Sequence, residues 1–292
     1  MIRPSDYEYI WGSPAKKLNA NGFFLVGFGF DGTACFRKGA KLGPDAIREV
    51  SYGIEGYSPY LDKDLEDFDN IFDLGNIVFQ GETIEESYLK ANETFFEMVS
   101  GYDLKRDQIR IITLGGEHSI SYAPIKKYLE DYDDLVLLHL DAHADLRDGY
   151  EGYHYSHASI IRRSLDHFKS GHELIQYGIR SGTKEEYDYM KKNNTIMTSR
   201  IQLLEKLEAV PVDRPIYMTL DLDFFDPSFL PGTGTPEAGG EDFHFFIKLM
   251  KILDKKNFVG ADIVELAPEI DSTGNSSVFA TKVLRETILA LS

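Results

Sequence analysis

Along this chain, short apolar runs rich in Val, Ile, Leu, Phe and Tyr alternate with longer segments whose apolar residues recur at helical spacing. The runs predict strands at Phe23–Gly27, Ile71–Ile77, Arg110–Leu114, Leu135–Leu140, Leu174–Arg180, Thr195–Ser199, Ile216–Leu220 and Phe258–Glu265. Several are apolar almost throughout, as expected for strands covered on both faces of a parallel sheet. Between them the helical period predicts Thr83–Val99, Ser119–Glu130, Ala158–Phe168, Lys184–Lys192, Asp242–Lys255 and Val278–Leu291. The alternation predicts a three-layer α/β/α fold with a mostly parallel sheet of about eight strands. No repeat, low-complexity tract or Pro/Ser-rich linker divides the chain, so residues 1–292 read as a single domain. The acidic stretch Asp62–Asp67 reads as a solvated loop. Two long loops, Asp141–His157 and Phe224–Gly240, break the regular pattern, and long loops in a compact domain tend to carry function.

Composition narrows the class. At 292 residues and 42% hydrophobic content the chain can bury a large core, about three quarters of its unfolded surface. No run approaches the roughly 18 apolar residues of a membrane span, and the opening Met1-Ile2-Arg3-Pro4-Ser5-Asp6 lacks the apolar segment of a secretory signal. The single cysteine, Cys35, cannot form an internal disulfide and suits a reducing compartment. These features predict a cytoplasmic protein with no membrane partner. A formal net charge of -17 argues against nucleic acid, whose binders carry basic patches, and it would favour a small cationic substrate over an anionic one.

One motif misleads. Gly27-Phe28-Gly29-Phe30-Asp31-Gly32 matches the dinucleotide fingerprint G-x-G-x-x-G. That fingerprint works only where it opens a helix whose N-terminus holds the pyrophosphate. Here residues 33–43 have no helical period, and the next helix is predicted to begin at Pro44, so no nucleotide site is expected.

Three predicted strands run into residues of one chemical character. Leu135–Leu140 continues as Asp141-Ala142-His143-Ala144-Asp145, and alternate residues of an extended segment share a face. Ile216–Leu220 continues as Asp221-Leu222-Asp223. Arg110–Leu114 continues as Gly115-Gly116-Glu117-His118-Ser119, a glycine turn presenting His118 at the start of a helix. Sites in open parallel sheets form beyond the carboxyl ends of the strands. Clustered carboxylates repel one another and are costly to desolvate, and two divalent cations would remove that cost. Oxygen-dominated ligation with some imidazole suits Mn²⁺ better than zinc.

These residues resemble the ureohydrolase (arginase/agmatinase) family over most of the chain. Its three signatures are matched by Gly115–Ser119, by Leu140–Asp145, and by Leu220–Asp223 continuing into Asp226-Pro227 and Pro231–Glu237. The first carries Glu117 where Asp is more usual, at a position that is not a metal ligand in the family. Gly39–Pro44 with Ile47-Arg48, and the strand ending Asp262–Glu265, are similar as well. The resemblance implies an arginase-like fold and two Mn²⁺ per chain, with His118 and Asp145 on one ion, His143 and Asp223 on the other, and Asp141 and Asp221 bridging. It implies a hydroxide shared by the ions as nucleophile, Asp145 passing a proton to the leaving amine, Glu265 pairing with the guanidinium, and His157 shuttling protons. His154, close by, reads as a surface loop residue. Assembly as a homo-oligomer, a trimer or hexamer, is implied in the same way.

The implied reaction is hydrolysis of agmatine to putrescine and urea. Arginases carry an Asn two places after the last Asp of the Asp-x-His-x-Asp cluster, where this chain has Arg147, and Gly178–Thr183 lacks the aspartate that they offer to the α-amine. N1-aminopropylagmatine is a close alternative, and 4-guanidinobutyrate is the main rival because Arg147 could bind its carboxylate. For agmatine, Arg147 must turn outward or be neutralised, and Asp148 and Glu151 are near enough in sequence to do so. The fold also resembles single-zinc polyamine deacetylases, which lack the complete six-ligand set, and ureohydrolase-like regulators without activity.

Overall fold

A computed structural model describes residues 1–3 and 11–292; Pro4, Ser5 and Asp6 of the opening segment lie outside the described residues. Among the described residues, ten strands form one sheet. Eight of them follow the predicted set: β1 (Phe23–Phe28), β2 (Ile71–Ile77), β3 (Arg110–Gly115), β4 (Val136–Leu140), β5 (Glu173–Tyr177), β6 (Ile196–Met197), β7 (Pro215–Asp221) and β8 (Asn257–Val264). Their order is β2-β1-β3-β8-β7-β4-β5-β6, and every pairing among them is parallel. Two short strands, Ser13–Pro14 and the antiparallel Ile2–Arg3, complete the outer edge of β2.

Apolar residues within the strands divide by parity. On one face Leu25, Ile112, Leu138, Met218 and Ile263 pack under helices α1 (Gly43–Ser51), α6 (Arg200–Ala209), α7 (Phe243–Leu253) and α8 (Asn275–Leu291). On the other, Val26, Ile111, Leu137, Tyr217 and Val259 pack under α2 (Ile84–Val99), α3 (Tyr122–Asp131), α4 (Ile160–Leu165) and α5 (Lys184–Lys192). Both faces are buried, which is why the strands read as continuous apolar runs.

Three features depart from the predicted pattern. Helix α6 lies outside the predicted set, because its fully buried stripe is short, Leu203 and Leu207 with Leu204 half-buried beside them, while Ile201 is exposed. The acidic stretch is ordered rather than a free loop. Lys63–Asp64 pairs with Tyr57–Ser58, Lys63 reaches Asp254 at 2.6 Å, and Leu65–Asp67 forms a 3-10 turn capped by Asp64. The helices after β3 and β4 each begin with a 3-10 turn, His118–Ser121 and His157–Ser159, which sets a histidine at each entry.

The glycine run after β1 opens no helix. The chain passes through a loop to α1 at Gly43, with Pro44 in its first turn as expected. The tight point is Gly116, where a Cβ would lie 1.9 Å from the Phe30 carbonyl oxygen. Close approach of the β1 and β3 loops therefore requires glycine there. Among the described residues, no helix is long and apolar enough to cross a membrane.

Candidate metal centre and active site

The four strands that carry the predicted chemistry are neighbours, in the order β3-β8-β7-β4. Their carboxyl ends therefore bring His118, Glu265, Asp221, Asp223, Asp141, His143 and Asp145 to one crevice. The local routes differ from simple extension. The segment leaves β4 at Leu140, and Asp145 is turned inward by a left-handed backbone with φ 53°. Asp223 sits in a 3-10 turn (Leu222–Phe224) whose cap is Asp221, the Asp221 carboxylate accepting from the Asp223 N–H at 2.8 Å. Glu265 follows β8 with φ 66°, its N–H donating to the Gly116 carbonyl at 2.8 Å. Left-handed non-glycine residues carry strain that persists only where surrounding contacts enforce it, and such residues gather at functional sites.

The side chains form two abutting groups. His118 Nδ1 lies 2.9 Å from Asp141 Oδ2, 3.1 Å from Asp145 Oδ2 and 3.5 Å from Asp221 Oδ2. His143 Nδ1 lies 2.8 Å from Asp223 Oδ2 and 3.6 Å from Asp141 Oδ1. Asp141 thus belongs to both groups. His118 and all four aspartates are buried, and His143 is half-buried.

Electrostatics in the absence of a cation are unfavourable. Burial pushes Asp221 well above the usual carboxylate range, and the nearby Asp223, Asp141 and Glu265 add to it. Burial and the neighbouring Glu117 do the same to Glu265, and burial with Asp141 raises Asp145. Burial also acts upward on Asp141, but His118, His139 and His143 around it hold it well below that range. Burial alone would lower His118 and His143, yet the carboxylates beside them raise both.

Directional contacts indicate what this arrangement accepts. His118 Nε2 is 2.7 Å from Thr219 Oγ1, and Thr219 Oγ1 donates to Asp262 Oδ1 at 2.7 Å. That fixes the ring and leaves Nδ1 buried between the carboxylates, close to them but with no well-aligned hydrogen bond among the described residues. Metal–oxygen bonds of about 2.0–2.6 Å place adjacent ligand atoms about 2.8–3.7 Å apart, which brackets the observed spacings. An orphaned imidazole nitrogen facing clustered carboxylates fits a cation.

A cavity of about 210 Å³ opens beside this centre, lined in part by His118, His143, Asp145, His157, Asp221 and Glu265. Glu265 Oε1 accepts from the His118 N–H at 2.9 Å, leaving its second oxygen for the cavity. His157 sits under a Ser156–Ser159 capping box, its Nδ1 3.3 Å from Thr33 Oγ1. Burial and the charges of His143 and His118 lower it to about 4, so it is neutral at neutral pH. His154 is exposed, bonds to Arg163 at 2.8 Å, and lies outside the cavity. Glu117 is fully buried and serves the loops, accepting from Thr33 N at 2.8 Å and Ser119 Oγ at 2.6 Å. The loop after β7 is stapled by Arg180 on Glu237 O at 2.8 Å and Arg37 on Thr233 O at 2.7 Å.

The acid that faces Arg147 is neither of the two expected, Asp148 and Glu151, and Glu151 is exposed. Asp148 pairs with Arg163 at 2.6 Å instead, because the chain turns it away from the cavity. Arg147 Nε faces Glu186 Oε2 at 3.9 Å, and its guanidinium lies 4.6 Å over the Tyr150 ring. Glu186, on α5, is buried in the cavity wall and accepts from Leu146 N at 3.0 Å and Thr183 N at 2.8 Å. Sequence reasoning missed it, although Thr183-x-x-Glu186 is a legible capping box. It also missed His139, fully buried on β4 with Nε2 2.9 Å from Asp141 Oδ2.

Residues 21–290 match the profile of the arginase family. An agmatinase of Bacillus subtilis (strain 168) is 38% identical over 270 residues, covering 91% of this chain and 90% of that protein. An N(1)-aminopropylagmatine ureohydrolase of Thermococcus kodakarensis is 34% identical, covering 85% and 83%. A crystal structure from Clostridium difficile, solved under a provisional agmatinase assignment, superposes with a TM-score of 0.84 at 37% identity, over 94% of this chain and 98% of that one.

Proposed function

Because the chain belongs to the arginase family, we propose that it is a binuclear metal hydrolase that cleaves agmatine to putrescine and urea. The observation that carries this reading is the paired cluster around Asp141, with His118 and Asp145 on one side and His143 and Asp223 on the other, opening on Glu265 in one cavity. His118 and Asp145 would hold one ion, His143 and Asp223 the other, and Asp141 and Asp221 both. Four carboxylates with two imidazoles favour Mn²⁺. When bound, such a pair supplies an acidified water and neutralises the carboxylates.

The chain's own residues supply the rest. The free oxygen of Glu265 would meet the guanidinium, its other oxygen held by His118 N–H, so the substrate plane is set against the centre. Asp145, grouped with His118 and Asp141, would take up the proton lost by the attacking water and pass it to the departing amine, whose C–N bond breaks once the C–O bond of urea has formed. His157, which lines the same cavity, would exchange that proton with solvent.

Substrate choice turns on Arg147. Paired with Glu186 and laid over Tyr150, it presents a neutralised face to the cavity, which permits the ammonium tail of agmatine or its aminopropyl derivative. Protein charge and the naming of the relatives above agree. An exposed free Cys35 is consistent with a cytoplasmic setting, and a homo-oligomer accords with the family. The test is urea release over a panel of guanidines with Mn²⁺ supplied: agmatine or aminopropylagmatine should lead, and release from 4-guanidinobutyrate alone would overturn the substrate while leaving the reaction class.

A further inference from the structure

His139 raises a question that the ligand set leaves open. It lies with His118, Asp141 and Asp145 close enough to hold a metal, so by distance alone it could be a seventh ligand. Its hydrogen bonds argue otherwise. His139 on β4 and Gln176 on β5 are register partners in the parallel sheet. Gln176 Nε2 is 3.3 Å from the Ala144 carbonyl oxygen and 3.2 Å from His139 Nδ1. A carbonyl oxygen only accepts, so the amide nitrogen must face it, and Thr195 Oγ1 donates to the opposite Oε1 at 2.9 Å. The amide therefore donates to His139 Nδ1, which must carry a lone pair. The ring proton is on Nε2, and Nε2 points at Asp141 Oδ2, 2.9 Å away.

We infer that His139 is a positioning residue for Asp141, its tautomer dictated by Gln176 and Thr195, and that it is not a metal ligand. The Nε2–H holds one lone pair of Asp141 Oδ2, and the Asp141 Oδ1 atom accepts the His143 N–H at 2.5 Å. Both oxygens of the shared carboxylate are thus oriented before any cation arrives. The chain Thr195–Gln176–His139–Asp141 is buried throughout and stands outside the cavity lining. It runs from Thr195, beside the edge strand β6, across β5 and β4 to one of the two carboxylates that would serve both ions. This inference rests on the reading that Asp141 bridges two divalent ions.

The experiment measures Mn²⁺ dissociation constants of the stripped full-length protein by equilibrium dialysis. Loss of an outer hydrogen bond behind a ligand typically weakens metal affinity about 10–100-fold. Gln176→Leu, which touches no ligand, should weaken Mn²⁺ binding by at least about tenfold, because His139 can then move its proton to Nδ1 and turn a lone pair on Asp141. Thr195→Val should act the same way more weakly. His139→Leu should lose as much as Gln176→Leu. His139→Gln keeps an N–H at about the place of Nε2, so it should bind within a few-fold of the parent, and adding Gln176→Leu to it should change nothing further. Melting of the stripped variants separates this from a folding defect, since a metal-specific effect leaves those transitions near that of the stripped parent. In the stripped parent, long-range ¹⁵N–¹H spectra should show His139 with Nδ1 unprotonated; a protonated Nδ1 overturns the inference whatever the metal data. Two ions bound by Gln176→Leu and His139→Leu with parental affinity would also overturn it. If the parent takes up no pair of Mn²⁺ ions, the reading of the centre fails instead, and the nitrogen spectra still decide the tautomer.

Discussion

Removal of the metal should make the stability of this protein strongly pH-dependent, and restoring it should abolish most of that dependence. In the stripped protein Asp221 and Glu265 are pushed well above the usual carboxylate range by burial and by neighbouring carboxylates. The folded chain then holds protons that the unfolded chain releases, so their stabilising contribution is complete below about pH 4 and is lost as pH rises through the raised values. His118, raised by Asp141 and Asp145, contributes in the same sense, in full below about pH 6.5 and less as pH climbs past its folded value. Asp141, held low, works oppositely, but its contribution disappears only on acidification below about pH 4. Above about pH 4 the two carboxyls therefore weaken the stripped fold as pH rises, and above about pH 6.5 His118 adds to the loss. Metal occupancy replaces the bound protons, so its benefit grows over that range. Two ions, each supplied at about a hundred times its dissociation constant, stabilise by about 5.4 kcal/mol in total. For 292 residues, an unfolding entropy of about 0.6 kcal/mol/K converts this to a rise of roughly 9 °C. Calorimetry of stripped and Mn²⁺-loaded protein at several pH values measures it. A shift that is absent, or that shrinks toward alkaline pH, would refute the argument that these carboxylates share a cation site.

Other consequences can be checked with single variants. Asp221→Asn should lose both ions rather than one, and full metal content at wild-type rate would exclude a bridging role. Glu265→Gln keeps shape and metal but removes the charge, so kcat should fall by about 10²–10³; unchanged kinetics would reduce Glu265 to a loop anchor for His118. Agmatine should exceed 4-guanidinobutyrate in kcat/KM by at least about tenfold, roughly 1.4 kcal/mol, and Arg147→Ala should leave that order in place. Glu186→Gln strips the neutralising partner from Arg147, so it should shift the ratio toward guanidinobutyrate by about tenfold, and a ratio that does not move would show that Glu186 only caps α5.

Much of this molecule was legible because the physics was local. Mostly apolar runs such as residues 136–140 and 216–220, bounded by polar loops, read as strands buried on both sides, and the residues that end them differ so sharply in character that they point to a shared crevice. The failures have a common origin in contacts that sequence spacing does not encode. Asp145 reaches the centre through a left-handed residue rather than by strand alternation, and Asp223 through a 3-10 turn. Asp148 was the nearer acid to Arg147, but the loop sends it to Arg163, and an acid from α5 takes its place. His139 hides in an apolar strand, and its meaning depends on a register partner 37 residues away.

The margins of the sheet have a consequence for how copies of this chain meet. One edge ends in the two-residue β6, and the other, β2, is closed by Ser13–Pro14 and Ile2–Arg3. Pro14 has no N–H to offer, and Arg3 sets a charge on the rim. Among the described residues, neither margin leaves a long row of free backbone donors and acceptors on which another chain could lay a strand. Short, capped margins of this kind disfavour strand-on-strand accretion at the two ends of an otherwise very apolar sheet.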